Sequence, residues 1–379
     1  MKIGILTQPL RRNYGGILQN WALQQILADM GHKPEMIFLC GGHRPQGRLL
    51  ALRCMSLVKC VVKKYLFGYR NVFLYSVFNP EYNPSAPQYA DAEFVGRVHK
   101  TKRLTKDADM ERFVASRGYD AFIVGSDQVW REDYSPSITR FFLDFLPECD
   151  NRPRIAYAAS FGKSKDYISE AHMPRCRELL LHFDAVSVRE HEGLDILKRD
   201  FDYHKGVKVL DPTLLLSADN YRELINDKDR ASISEPHIAA YILDMSEGKD
   251  AILIETTSCL RIPVKTFYGD FHGENMLTVS QWLAEFDSAD FVVTDSFHGC
   301  IFSIIFHKPF VVIANQERGL ERFLSLLHDT GLENRLVYSF DDFMARKDNL
   351  LTAPDYTVTE QLLDTLRRMS LNFLTNALD

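Results

Sequence analysis

The sequence predicts an α/β protein of two domains, each built on a parallel sheet. Three observations carry that prediction. Short, apolar, β-branched runs alternate with amphipathic segments along most of the chain; this is the pattern of parallel strands covered on both faces by helices. The runs fall into two series separated by a polar stretch at 211–236. The chain has 379 residues, enough for two domains at about 100–200 residues each.

The elements follow in order. Lys2–Thr7 reads as a buried strand and Gln8–Gly16 as a glycine-bearing loop. Ile17–Met30 reads as a helix with one buried face, carried by Ile17, Leu18, Trp21, Leu23, Ile26 and Leu27. Gly31 is placed to end it. Glu35–Leu39 is the next strand, and the first series continues at Ala121–Val124, Ile155–Ala159, Ala185–Val188 and Val207–Leu210. The second series is Ile238–Leu243, Val264–Phe267, Phe291–Thr294 and Phe310–Ile313. We therefore expect a first domain over 1–215, a linker over 216–235 and a second domain over 236–355. Thr359–Leu378 brings Leu362, Leu363, Leu366, Met369 and Phe373 to one side, as an amphipathic helix would, so 356–379 is a separate terminal helix.

Composition narrows the function classes. Hydrophobic residues make up 46% and charged residues 25%, as in an ordinary globular protein. A net charge of −6 argues against a basic nucleic-acid binder. No apolar run approaches the roughly 20 residues that span a bilayer, and the N-terminus shows no signal-peptide cleavage pattern. Seven scattered cysteines without a C-x-x-C pair fit reduced thiols of a cytoplasmic protein rather than a disulfide framework or a zinc site. No metal site is expected.

Residues 41–105 break the strand–helix rhythm. No acidic residue lies between Glu35 and Glu81, while Arg44, Arg48, Arg53, Lys59, Lys63, Lys64 and Arg70 alternate with leucines, valines and aromatics. Such a stretch reads either as an insertion with a solvated basic face or, over 43–70, as a surface that contacts the inner face of an anionic membrane.

Several motif matches fail. Gly42–Gly47 has Walker spacing but Arg48-Leu49 follows it. No G-x-G-x-x-G follows the first strand, which disfavours an NAD-binding domain, and no G-x-S-x-G is present. Four other segments place polar residues where strands should end, which is where α/β proteins bind ligands. Asn13, Tyr14, Gly15 and Gly16 stand before the first helix; they read as a ligand-approaching turn or as an ordinary turn. Ser126, Asp127, Gln128 and Trp130 read as a sugar site with an aromatic platform, or as a helix cap and core. Arg189 ends an apolar strand, where a guanidinium needs an anion, either Glu190 or a ligand. Thr294-Asp295-Ser296-Phe297-His298-Gly299 puts a histidine at a strand-to-helix junction beside an aspartate.

These residues also carry a resemblance. Asn-Tyr-Gly-Gly-x-Leu-Gln-Asn-x-Ala-Leu-Gln (13–24), Phe-Ile-Val-Gly-Ser-Asp-Gln-Val-Trp (122–130), Tyr-Ala-Ala-Ser-Phe-Gly (157–162), Val-Ser-Val-Arg-Glu (186–190), Val-Leu-Asp-Pro-Thr-Leu-Leu (209–215) and Thr-Asp-Ser-Phe-His-Gly (294–299) resemble the polysaccharide pyruvyl transferase family. The resemblance implies a GT-B-like fold of two Rossmann-like domains facing a cleft, with a C-terminal helix that crosses back to the first domain. It implies transfer of the enolpyruvyl group of phosphoenolpyruvate to two hydroxyls of a sugar or lipid-linked oligosaccharide, with release of phosphate and no further cofactor.

On that reading His298 is the acid–base group and Asp295 orients it. Arg189, Ser296 and Gly299 hold phosphoenolpyruvate. Asn13, Tyr14, Gly15, Gly16, Ser126, Asp127, Gln128 and Trp130 hold the acceptor. The chain departs from the family at Ser296-Phe297-His298, where characterised members often carry Arg-Leu-His and the arginine is thought to help bind the donor. Arg318 or Arg322 is the expected replacement. The same architecture would also serve a nucleotide-sugar glycosyltransferase, or a non-catalytic relative that binds glycan or lipid.

Overall fold

The structure is a computed structural model of the chain. It describes residues 1–10, 13–40, 92–105, 108–267, 277–315 and 319–379, with Met55, Leu57, Val58, Lys59, Val61, Val62 and Tyr65 in between. Most of the expected insertion therefore lies outside the described residues.

Two parallel sheets form the scaffold. The first contains β1 (Lys2–Leu6), β2 (Lys33–Met36), β3 (Ala121–Asp127), β4 (Arg154–Ala159), β5 (Ala185–Val188) and β6 (Val207–Lys208), in the order β2-β1-β3-β4-β5-β6. The second contains β7 (Ile238–Tyr241), β8 (Val264–Phe267), β9 (Phe291–Thr294), β10 (Phe310–Ile313) and β11 (Leu336–Val337), in the order β8-β7-β9-β10-β11. Chain order reverses beside β1 in one sheet and beside β7 in the other, and such switch points open a crevice at the strands' carboxyl ends. The sequence located ten of these strands; it missed β11, which has only two residues and no run to betray it. A further short pair, Leu39–Cys40 with Leu104–Thr105, lies apart.

The first helix differs from its expected form. α1 spans Tyr14–Asp29, so Gly15 and Gly16 belong to its first turn and not to a loop. Nor is it buried on one face only. Gln19, Asn20 and Gln24 are enclosed along with Ile17, Leu18 and Leu23. The reason is that α1 is sandwiched. Gln19 Nε2 donates to Thr7 Oγ1 at the end of β1 (2.8 Å), while Tyr14 stacks on Trp282 of the second domain with ring centres 5.2 Å apart. One continuous apolar core consequently runs from Ile3 and Ile5 through α1 to Trp282 and Phe302.

The 216–235 segment carries two short helices, Ala218–Arg222 and Asp227–Ala231. Tyr221 is fully buried between Trp21 and Phe302, so this connection is packed despite its polar sequence. The last helix is Tyr356–Leu378. It begins on the second domain, where Thr359 Oγ1 donates to Thr330 O (2.9 Å). It ends on the first, where Ser370 Oγ accepts from Leu210 N (3.0 Å) and Phe373 packs against Tyr157. No described helix is long and apolar enough to cross a membrane.

A buried ion pair anchors the base of the second sheet. His237 Nε2 lies 3.3 Å from Glu285 Oε2, and Lys265 pairs with the other carboxylate oxygen. The Glu285 contact raises the histidine pKa above its usual value, against burial, which lowers it. A histidine raised in the folded state adds stability that is complete below about pH 6.5 and is lost as pH climbs through the raised value. His237→Gln is therefore predicted to flatten the fall in unfolding free energy as pH rises above about 6.5. Urea melts across that range check it; parallel curves for parent and variant would refute the pairing.

Candidate active site

The site is built around a buried arginine. Arg189 follows β5 and its side chain is 1% exposed. A guanidinium so placed needs compensating charge. Three strand ends supply it. Arg189 Nη2 donates to Asp127 Oδ1 (3.1 Å) at the end of β3, Nε to Glu190 Oε1 (2.8 Å) at the start of α2 (His191–Phe201), and Nη1 to Asp211 Oδ2 (2.7 Å) beyond β6. Burial lowers the arginine's pKa, and the charges of Glu190, Asp127 and Asp211 outweigh it and hold the group well above its usual value. Asp127 reaches the cluster by turning at φ 74°, in the left-handed region that aspartate tolerates better than most residues.

Asp211 is the hub. Thr213 donates to its Oδ1 through N (3.0 Å) and Oγ1 (2.6 Å), and Ser126 Oγ lies 3.4 Å from Oδ2. Burial raises its pKa, but His298, Arg189 and Thr213 outweigh that and hold the carboxyl well below the usual range. It is ionised at any working pH.

The second domain delivers the histidine. After helix α3 (Val279–Ser288) and strand β9 comes α4 (Phe297–Ile305), with Ser296 as its N-cap and His298 in its first turn. His298 Nε2 faces Asp211 Oδ2 at 3.8 Å across the domain boundary. Its ring packs on the backbone of α1, where a Cβ at Gly15 would lie 1.9 Å from Nδ1. Glycine at 15 is thus a requirement of close approach. Gly299 has a similar reason, since a Cβ there would lie 2.2 Å from Thr294 Oγ1.

Arg322, in α5 (Glu321–Thr330), brings a second buried guanidinium to the site. Its centre lies 5.3 Å from the Phe297 ring, and that of Arg189 lies 4.6 Å from the same ring. Both separations suit cation–π attraction. Burial and the charge of Arg189 push the Arg322 pKa down to about 10, so it remains charged at neutral pH. Arg322 lines a recess with Lys163, Glu190, Glu192 and Glu321. Arg318 lies outside the described residues.

The structure corrects four expectations. Asp295 does not orient His298. It is fully buried and accepts from Leu243 N (2.6 Å), Asp244 N (3.1 Å), Lys249 Nζ (2.7 Å) and Asn315 Nδ2 (3.1 Å), all within its own domain. Trp130 offers no face to a sugar: it is fully enclosed, stacks on Phe142 and donates through Nε1 to Phe141 O (3.1 Å). Tyr14 is buried too, its hydroxyl donating to Leu277 O (2.6 Å), and it joins the two domains. Arg189 has each of its three nitrogens on a carboxylate and its side chain is 1% exposed, so it organises the site, and an incoming anion would meet three negative charges there.

Of the other expected residues, Ser126 is buried beneath Asp211, Ser296 Oγ accepts from Gly299 N at 3.4 Å, and Gln128 is buried with its Oε1 accepting from Arg131 Nη1 (3.2 Å). Asn13 is exposed at the start of α1, and a Cβ at Gly16 would lie 3.0 Å from its Nδ2. The residue the sequence reading passed over is Asp211. It stands directly after a predicted strand, the same signal that marked Asp127 and Arg189. Among the described residues, no three His, Cys, Asp or Glu side chains are placed to hold a metal ion.

A family model described as polysaccharide pyruvyl transferase matches residues 13–317. The chain belongs to that family. It is a transferase family, and its matched region includes Asp127, Arg189, Glu190, Asp211 and His298, while Arg322 lies beyond it. No curated protein matches the chain in sequence. Among solved structures, UDP-GlcNAc 2-epimerase from Methanocaldococcus jannaschii is 11% identical, with a TM-score of 0.54 over 97% of this chain and 100% of its own. The enzyme from Neisseria meningitidis, bound to UDP-GlcNAc, is 9% identical, with a TM-score of 0.53 over 99% of this chain and 100% of its own. At such identities the likeness is one of fold, the GT-B arrangement.

Gly15→Ala is predicted to destabilise the protein by about 1–3 kcal/mol, the usual cost of overpacking. Adding His298→Ala should recover most of that loss, because the methyl group then has room. A double-mutant cycle by thermal unfolding checks this; additive losses would show that the two residues do not touch.

Proposed function

We propose that this member of the polysaccharide pyruvyl transferase family forms a pyruvate ketal on a sugar, with phosphoenolpyruvate as donor. The observation that carries the reading is the meeting of His298, from the second domain, with the ionised Asp211 and its arginine cluster, from the first. Ketal formation requires proton movements that one histidine can manage. An acceptor hydroxyl adds to the enol carbon while the methylene carbon gains a proton. A second hydroxyl then displaces phosphate, and its proton leaves with the phosphate or solvent. His298 is the group that takes the first hydroxyl proton and returns it to carbon.

The donor carries a carboxylate and a phosphate, and Arg322 is the cation we assign to them. It stands on the recess wall in place of the family arginine that Ser296 lacks. Arg189 stays behind it and fixes the carboxylates. The acceptor enters past Asn13 and Gln128. It is a sugar of a polysaccharide or its precursor, either free or lipid-linked.

Membrane contact forms part of the same proposal. Met55, Val58, Val61 and Tyr65 are helical and exposed at 58%, 62%, 38% and 71%, and Lys59 is exposed beside them. An exposed apolar stripe among lysines fits an anionic leaflet, where each basic side chain is worth about 1 kcal/mol. Replacing Lys59, Lys63 and Lys64 by Glu should weaken sedimentation with anionic liposomes at low salt. Equal sedimentation of parent and variant would remove the membrane from the proposal.

The reaction is tested by phosphate release from phosphoenolpyruvate over a panel of galactosides and N-acetylhexosaminides, with mass spectrometry for the added ketal. His298→Ala should lower turnover by about 10²–10⁴, while Arg322→Lys should chiefly raise KM for the donor. Binding of UDP or GDP without reaction of phosphoenolpyruvate would instead point to glycosyl transfer.

A further inference from the structure

One buried polar atom in the site stands close to a charge without reaching it. His298 Nε2 is buried and has no hydrogen-bond partner. The 3.8 Å to Asp211 Oδ2 is too long for a hydrogen bond, yet in a buried place it couples the two groups strongly. The other ring nitrogen, Nδ1, lies over Gly15, where α1 carries no side chain.

The charges around the imidazole come from both domains. Asp211 faces it at 3.8 Å from the first domain, joined through Arg189 to Asp127 and Glu190, and Arg322 stands across Phe297 in the second. The start of α1, Asn13 to Gly16, brings no charged group.

We propose that Asp211 is the positioning residue of His298: it fixes Nε2 as the N–H nitrogen turned toward the carboxylate, and leaves Nδ1 as the nitrogen that exchanges protons over Gly15. A fixed carboxylate on one side of an imidazole selects the tautomer with its hydrogen on that side and frees the opposite nitrogen as base. Asp211 is suited to the task because its other contacts pin it. Thr213 holds one oxygen and Arg189 the other, so the carboxylate can neither rotate away nor pick up a proton. Asp295, the sequence neighbour of the histidine, is engaged elsewhere. This inference rests on His298 as the acid–base group of the proposed reaction. In that reaction the hydroxyl proton passes to Nδ1 and then to the methylene carbon, and Asp211 stays ionised throughout.

The test needs no substrate, so it separates this inference from the reaction itself. Nitrogen-15 shifts of the histidine rings in the full chain, with the His298 signal assigned by its loss in His298→Gln, report the tautomer. We expect the neutral ring to carry its hydrogen on Nε2. In Asp211→Asn, which removes the fixed charge facing Nε2, that preference should be lost or reversed. Thr213→Val, which removes a hydrogen bond to Asp211 but not its charge, should keep the parent tautomer. A neutral ring with its hydrogen on Nδ1 would overturn the proposal, and that measurement is available in the parent protein even if Asp211→Asn does not fold. An unchanged tautomer in a folded Asp211→Asn would overturn it as well. If the tautomer behaves as expected but phosphoenolpyruvate releases no phosphate, the positioning stands and the donor assignment fails.

Discussion

The rest of the site follows from the burial of one guanidinium. Arg189 sits where β5 runs out, with almost no access to water, and such a charge is tolerated only if matched closely. The match is made by Asp127, Glu190 and Asp211, which arrive from the ends of β3, β5 and β6. These strands lie in one parallel sheet, with only β4 between β3 and β5, so their carboxyl ends converge in space although the three acids are spread over the sequence. The arginine draws their loops into one cluster, and the cluster's surplus of negative charge is what the second domain meets when it brings His298 and Arg322 across.

That meeting depends on α1. A helix between two domains has no solvent face, so its polar residues must find partners inside, as Gln19 does with Thr7. Its first turn carries no side chain at position 15, and the His298 ring occupies the space. Tyr14, next to it, stacks on Trp282 and bonds to Leu277. The contact therefore does two jobs with adjacent residues: Tyr14 fixes the distance between domains, and Gly15 lets the histidine reach the carboxylate cluster. The closing helix crosses back at the same level, with Ser370 bonding to Leu210 just before Asp211.

Membership of the polysaccharide pyruvyl transferase family and the GT-B arrangement leave the particular site to be explained by its own residues. Ser296, where the family often has arginine, is a helix cap. The aromatic ring next to it, Phe297, lies between two guanidinium groups. Arg189 and Arg322 both stand within cation–π reach of that ring, so two different elements bring positive charge to it. Position 296 starts α4 after β9, whereas Arg322 projects from α5.

Much of this was present in the sequence alone. Apolar runs such as Phe291–Thr294 declare parallel strands because both of their faces must be covered. Polar residues following such runs mark a crevice because strand ends are where side chains escape the sheet. That logic located His298, Arg189 and Asp127, and it applied equally to Asp211. Only the tertiary structure decided which of these residues meet. Asp295 lies three positions from His298, but the turn into α4 sends its carboxylate back to Leu243 and Lys249, while Asp211 reaches the histidine from another domain. Trp130 and Tyr14 carry the residue types of a sugar platform, yet packing buried both rings. Spacing along a chain fixes which face of an element a residue occupies. What lies opposite that face is set by the packing of one domain on the other, and no local pattern encodes it.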